Sequence, residues 1–253
     1  MMSSVPSHTP SLIELEVTDL RKRLGKTDAL RGLNLRFDAG LMHGVIGPEG
    51  AGKTTLFRHL VGLLRADAGT VAYREDGRAL AFDDVRARIA YMPQQQSLYP
   101  DLSIGEHLDF FRSLYRLDDA EFARKRERLL EITRLGKFVD RPAGKLSGGM
   151  YKKLGLMCAL LASPSVLLLD EPTNGVDPIS RREFWELLYE LSGQGMLILV
   201  ATAYMDEAER CARVHLVNAG RSLASGEPKQ LLEEAGVSSF DEYFLRRSRE
   251  NGG

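Results

Sequence analysis

Cysteine is scarce in this chain, with only Cys158 and Cys211 among 253 residues. Both sit in apolar helical patterns without a CxxC spacing. That excludes a disulfide framework and a thiolate metal centre, and leaves two reduced core residues of a cytosolic protein as the expectation. The five histidines (His8, His43, His59, His107, His215) show no paired ligand spacing, so none is expected to bind a metal. An excess of one charge is also missing. Against 34 Lys and Arg stand 35 Asp and Glu, a net charge of −1, which gives no bulk argument for nucleic acid. No apolar run approaches the ~20 residues of a membrane helix; the longest, 154–162 and 196–204, fit buried elements better. Residues 1–11 lack the basic segment and apolar core of an export signal. They are expected to be a disordered tail, as is the closing SRENGG. Any membrane role is therefore expected to come through a partner.

What the chain does have is core material, 43 % hydrophobic residues, and a length that suits one large domain carrying a subdomain. It also has one dense motif. Gly47, Pro48, Glu49, Gly50, Ala51, Gly52, Lys53 and Thr54 spell G-x-x-x-x-G-K-T. Before it, Leu41, Val45 and Ile46 suit a strand; after it, Leu56, Phe57, Leu60, Val61 and Leu64 recur at helical spacing. A polyphosphate needs several backbone N–H groups aimed at it, and glycines let the chain come that close. The helix opening near Gly52 adds its positive end. Lys53 can then reach the outer phosphates, Thr55 joins the cradle, and the Thr54 hydroxyl can ligate Mg²⁺. A nucleoside triphosphate is the implied ligand.

The surrounding pattern is α/β. Residues 12–17 and 33–37 alternate as half-exposed strands, and 70–73 and 89–92 suit further strands. Residues 98–163 change to helical spacing, read as a helical insertion with breaks at Pro100 and at Leu117-Asp118-Asp119. Residues 166–169 form a continuous apolar run of the buried parallel type. Helix 178–192, strand 196–201, helix 205–212 and strand 213–218 follow, with two more helices near 228–234 and 239–247. This alternation predicts a mainly parallel sheet with an antiparallel edge at its N-terminal side. The expected organisation is a tail at 1–11, a nucleotide-binding domain over 12–235 with the helical subdomain at 98–163, and a C-terminal helix and tail at 236–253.

Two further segments carry chemistry. VLLLDEP, residues 166–172, ends a buried strand with Asp170 and Glu171, and open α/β sheets bind ligands beyond the carboxyl ends of their strands. One carboxylate can hold Mg²⁺ while the next orients and deprotonates the attacking water. LSGGM, residues 146–150, opens a helix whose N-cap is Ser147 and whose glycines, Gly148 and Gly149, leave amides uncovered. Two anion-binding helix ends are hard to use on one nucleotide unless two chains face each other.

GPEGAGKT, Gln94 in YMPQ, LSGGM, LLLDEP and NGVDP (174–178), in that order and spacing, resemble the nucleotide-binding domain of ATP-binding cassette (ABC) proteins over nearly the whole chain. Met150, Lys152-Lys153, LYPDLS (98–103) and ATAYMDEAER (201–210) resemble the type-2 multidrug exporter branch. The resemblance implies a P-loop NTPase fold, RecA-like with an inserted α-helical subdomain, and ATP and Mg²⁺ as cofactors. It implies a head-to-tail pair holding each ATP between one chain's phosphate loop and the other's Ser147, Gly148 and Gly149. Gln94 would sense the metal, with Thr54 and Asp170 as ligands, Glu171 would be the catalytic carboxylate, and Asp177 would line the seam. The implied partners are an integral membrane permease, a second cassette (self or paralogous) and a periplasmic adaptor, with the chain at the cytoplasmic face of the inner membrane.

The sequence departs from that family twice. Ala203 stands where a histidine usually meets the γ-phosphate, so slow but real hydrolysis is expected, with Thr202 or Tyr204 as substitutes. Leu24 stands where an aromatic often stacks on adenine, so modest ATP affinity is expected. The competing reading is a soluble ABC ATPase acting on nucleic acid or the ribosome. It lacks its usual coiled-coil insertion, zinc cysteines and basic linker here. A small-molecule P-loop kinase fails on LSGGM.

Overall fold

The computed structural model describes residues 12–95 and 97–251; the expected tail at 1–11 and Gln96, expected to be plain polar loop, lie outside them. The chain opens with strands β1 (Ile13–Leu24), β2 (Thr27–Phe37) and β3 (Met42–Ile46), then helix α1 (Lys53–Leu60). Next come β4 (Ala68–Glu75), β5 (Arg78–Leu80), the short α2 (Phe82–Val85) and β6 (Ile89–Met92). Helices α3 (Ile104–Tyr115), α4 (Asp119–Thr133) and α5 (Gly148–Leu160) lead to β7 (Val166–Asp170) and α6 (Pro178–Ser192). The chain ends with β8 (Leu197–Thr202), β9 (Arg213–Asn218), β10 (Arg221–Gly226), α7 (Pro228–Ala235) and α8 (Phe240–Asn251).

The strands form two sheets. Six of them run in the order β10-β9-β3-β8-β7-β6, and every pairing is parallel except that of β10 with β9. β3, β7 and β8 are buried at every residue, as expected of central strands covered on both faces. The N-terminal strands do not edge this sheet. They form an antiparallel sheet of their own, β2-β1-β4-β5, because β1 and β2 run on for 12 and 11 residues as a hairpin. Their alternating burial packs Ile13, Leu15, Val17, Leu33, Leu35 and Phe37 against Val45, Leu168 and Leu199 of the main sheet and Leu56 and Phe57 of α1. A second core lies on the other face, where α5 and α6 cover Leu167, Leu169, Ile198 and Val200.

The helical stretch shows its boundaries in local chemistry. Ser103 and Glu106 form a reciprocal capping box on α3, and Asp118 caps α4. Arg116 and Arg134 end these helices in the left-handed region. Residues 205–210 form a 3₁₀ helix rather than the α-helix expected over 205–212, and Cys211 is already extended. Within SRENGG, residues 248–251 continue α8. Arg246 and Arg247 pair with Glu250 across one turn, and Asn218 donates to Ser248 at 3.5 Å. Both cysteines are buried and free, and burial pushes both thiols up. Among the described residues no helix is long and apolar enough to cross a membrane.

Candidate functional site

The turn from β3 into α1 uses backbone conformations that favour glycine. Gly50 and Gly52 have φ of 76° and 106°, and a Cβ on Gly47 would stand 2.0 Å from the Val217 carbonyl oxygen. The Gly47 amide donates to Thr202 O at 3.1 Å, fastening the loop to the end of β8. Gly52 offers no side-chain cap, so the first amides of α1 are free for an anion. Lys53 folds back over the loop, and its Nζ donates to the carbonyls of Gly47 (2.6 Å) and Pro48 (3.1 Å).

An open cleft of about 540 Å³ lies against this loop. Residues 49–55, Gln94 and Glu171 line it on one side. Thr27, Asp28, Ala29, Arg31 and Ala219 form the rest. Lys53 Nζ and Glu171 Oε1 meet at 3.1 Å with both side chains buried. Glu171 holds a left-handed backbone, φ 48°, a strained conformation for a residue with a Cβ. Its hydrogen-bonding groups are all engaged. The amide donates to Ala201 O at 2.8 Å, Oε2 accepts from Ala203 N at 3.2 Å, and the carbonyl accepts from Lys152 Nζ at 3.2 Å and Asn174 N at 3.3 Å.

Asp170 is fully buried at the tip of β7. Its Oδ2 accepts from the Tyr91 hydroxyl at 3.1 Å, while Oδ1 has no hydrogen-bond partner. Desolvation raises its pKa above the usual carboxylate value, with Thr54, Tyr91 and Lys53 among the groups opposing that shift. An orphaned buried carboxylate oxygen beside a threonine hydroxyl and a polyphosphate cradle fits a divalent cation. Among the described residues no group of three or more His, Cys, Asp or Glu could hold a metal; Mg²⁺ is commonly held by one or two carboxylates together with substrate phosphates.

The other expected site residues lie apart from this cleft. Ser147 caps α5, its Oγ accepting from Met150 N at 3.3 Å. Gly148 and Gly149 bring that helix tip close to the Gly175 turn and the first turn of α6; a Cβ on Gly148 would stand 3.1 Å from Gly175 O and one on Gly149 2.4 Å from Ser180 Cβ. Asp177 caps α6, accepting from Ile179 N and Ser180 N at 3.1 and 3.0 Å, and these backbone amides hold its carboxyl below the usual range. Leu24, the last residue of β1, is 42 % exposed and is not among the residues lining the cleft. Sequence reasoning missed the wall from Thr27 to Arg31, the Tyr91 contact and Lys152. Tyr91 lies in YMPQ and Lys152 follows LSGGM, but neither motif says what those side chains touch.

Residues 30–174 match the ABC transporter family. The chain belongs to that family. As an ABC ATP-binding domain it binds ATP, and ABC ATP-binding proteins are ATPases. The chain is 46 % identical over 234 residues to the probable multidrug ABC transporter ATP-binding protein YbhF of Escherichia coli K12, covering 89 % of this chain and 39 % of that protein. It thus spans well under half of that relative's length. To Nod factor export ATP-binding protein I of Ralstonia nicotianae it is 37 % identical over 231 residues, covering 90 % of this chain and 72 % of the other. Among solved structures, an ATP-binding subunit of an ABC transporter superposes with a TM-score of 0.80 at 31 % identity, covering 92 % of this chain and 99 % of that one. CbiO1 of Clostridium perfringens, part of the ABC transporter complex cbiONQ, gives 0.77 at 28 % identity over 87 % and 91 %.

Proposed function

We infer that this chain is the ATP-hydrolysing motor of an efflux transporter, working against a permease carried by separate membrane-spanning segments at the cytoplasmic face of the inner membrane. One observation carries the hydrolytic part: a phosphate-loop lysine and a strand-end carboxylate meet as a buried pair at the edge of a glycine-lined cleft. Entering phosphates compete for Lys53, which leaves the carbonyls of Gly47 and Pro48 and releases Glu171. Glu171 then holds the attacking water and takes its proton. Residues 47–55 bind the phosphates through backbone amides and Lys53. Thr54, Asp170 and Gln94 would hold Mg²⁺, which when bound neutralises developing phosphate charge.

The efflux part rests on relatives named for multidrug transport and Nod factor export; none of the relatives named here refers to nucleic acid or the ribosome. A side-chain surface near the helical segment suits a membrane partner. Tyr99, Phe110 and Leu114 are exposed at 55, 41 and 60 %, and Tyr99 packs edge-on to Phe110. A periplasmic adaptor belongs to the same reading of the assembly. The test is Glu171→Gln. We predict a loss of turnover of at least about 10²-fold, the size of a general-base contribution, with ATP binding retained. Unchanged hydrolysis would remove Glu171 from the chemistry.

A further inference from the structure

The paired lysines of α5 are not used by the reading above, and they point to different places. Lys153 is buried and reaches Glu183 of α6. Lys152, about 100° further round the helix, reaches instead to the backbone carbonyl of Glu171 at 3.2 Å. Burial lowers its pKa, so its charge is stabilised mainly by what it meets at this end of β7. Beside it, the Tyr151 hydroxyl accepts the Leu98 amide at 3.0 Å. A small crevice between α5 and the residues after β6 is lined by Lys152, Tyr151, Gln94 and Leu98, and Gln94 also lines the nucleotide cleft. The first turns of the Ser147 helix are therefore bonded both to the loop that leads to exposed Tyr99 and to the main chain of the carboxylate.

We propose that Lys152 is a positioning residue for ATP hydrolysis, holding the strained left-handed backbone of Glu171 so that its carboxylate faces the cleft. Left-handed φ at a non-glycine residue persists only where the surroundings enforce it. Here the Glu171 carbonyl has two donors, Lys152 Nζ and Asn174 N, and only the lysine is a charged side chain on another element. A shift of α5 changes that bond, so presentation of the carboxylate follows the position of the Ser147 helix. This rests on Glu171 being the catalytic carboxylate.

The test measures steady-state ATPase and ATP binding on the full chain for Glu171→Gln, Lys152→Met, Lys152→Gln and Lys152→Arg, with folding followed by thermal melting. Loss of one charge-assisted hydrogen bond at this point should lower kcat by about tenfold in Lys152→Met, with KM for ATP within about twofold. Lys152→Arg, which keeps the donor, should recover most of the rate, and Lys152→Gln should fall between. Glu171→Gln is the control on the underlying reading; if it hydrolyses normally, that reading fails before Lys152 is considered. With Glu171→Gln inactive, a wild-type kcat in Lys152→Met overturns the proposal. So does a parallel loss of ATP binding and kcat that Lys152→Arg does not repair, which is a purely structural defect. Should Lys152→Met not fold, Lys152→Gln and Lys152→Arg decide by the same split between kcat and KM.

Discussion

At the residue scale, Ala203 gives the sharpest prediction. Its amide already donates to Glu171 Oε2, so this backbone touches the carboxylate proposed to activate water, while its side chain offers no donor. Thr202 is fully buried and its hydroxyl accepts from the Tyr204 amide at 3.1 Å. The Tyr204 ring lies under the Arg181 guanidinium, 4.5 Å from its centroid, and its hydroxyl points to Asn174. With one oxyanion donor worth roughly 10²–10³ in rate, Ala203→His should raise kcat by at least about tenfold. An unchanged rate would mean that position 203 is idle. The strand–loop–helix of residues 42–60 was legible because a glycine-rich loop before a helix has few other uses. The opposite wall of the cleft, Thr27, Ala29 and Arg31 of β2, was not, because its side chains carry no recognisable motif.

At the element scale, one carboxylate ties three segments together. Glu207, fully buried, accepts through Oε1 from Thr173 Oγ1 at 2.7 Å, Arg181 Nε at 2.8 Å and Trp185 Nε1 at 3.1 Å. It thereby joins the segment after Glu171, helix α6 and the 3₁₀ turn after β8. Glu207→Ala leaves Arg181 its second partner, Asp206 at 3.1 Å, but takes the acceptor from the Thr173 hydroxyl and the Trp185 ring N–H. A buried donor left unsatisfied costs about 1–3 kcal/mol, so Glu207→Ala should lose stability on that scale in urea unfolding at neutral pH; a loss below about 1 kcal/mol would show that the network is not stabilising. Helix α6 was legible to both ends, with Asp177 and Pro178 opening it. Strands β5 and β10 were not, although their turns carry hairpin signals. Asp76-Gly77 and Ala219-Gly220 are two-residue loops with positive φ throughout, set between strands too short or too polar to show alternation.

At the scale of the whole molecule, two features decide behaviour in solution. The first is a hydrogen-bonded run across β3, β9 and β10 that ends on the residue after β2. His43 Nε2 donates to Asp38 O, His215 Nε2 to His43 Nδ1 and Ser225 Oγ to His215 Nδ1, at 3.1, 3.1 and 2.9 Å. In that arrangement both rings are neutral. Burial lowers His43 to about 4 and His215 to about 3, with Arg213 opposing their charge and Asp38 favouring that of His43. Because folding depresses both values, their contribution is complete above about pH 6.5 and is lost as pH falls through 4 towards 3. Denaturant midpoints should therefore drop over that window, and His215→Leu should flatten the drop while lowering stability at pH 7. A midpoint independent of pH from 7 to 4 would contradict this assignment. The second feature is the separation of the two anion-binding helix ends. The α1 end faces the cleft, yet none of Ser147, Gly148, Gly149 or Asp177 lines it, so within one chain the α5 tip has no nucleotide to meet. On the function proposed above, a second cassette turned head to tail would supply it, and stopping hydrolysis should trap the pair. Light scattering of Glu171→Gln with Mg-ATP should give twice the monomer mass, reverting on removal of nucleotide, and a Ser147→Arg change should abolish the doubling without reducing ATP binding to the monomer. If Glu171→Gln stays monomeric at saturating Mg-ATP, self-pairing is excluded. The α5 tip would then require a different cassette, which can be tested by adding candidate partners to the same measurement.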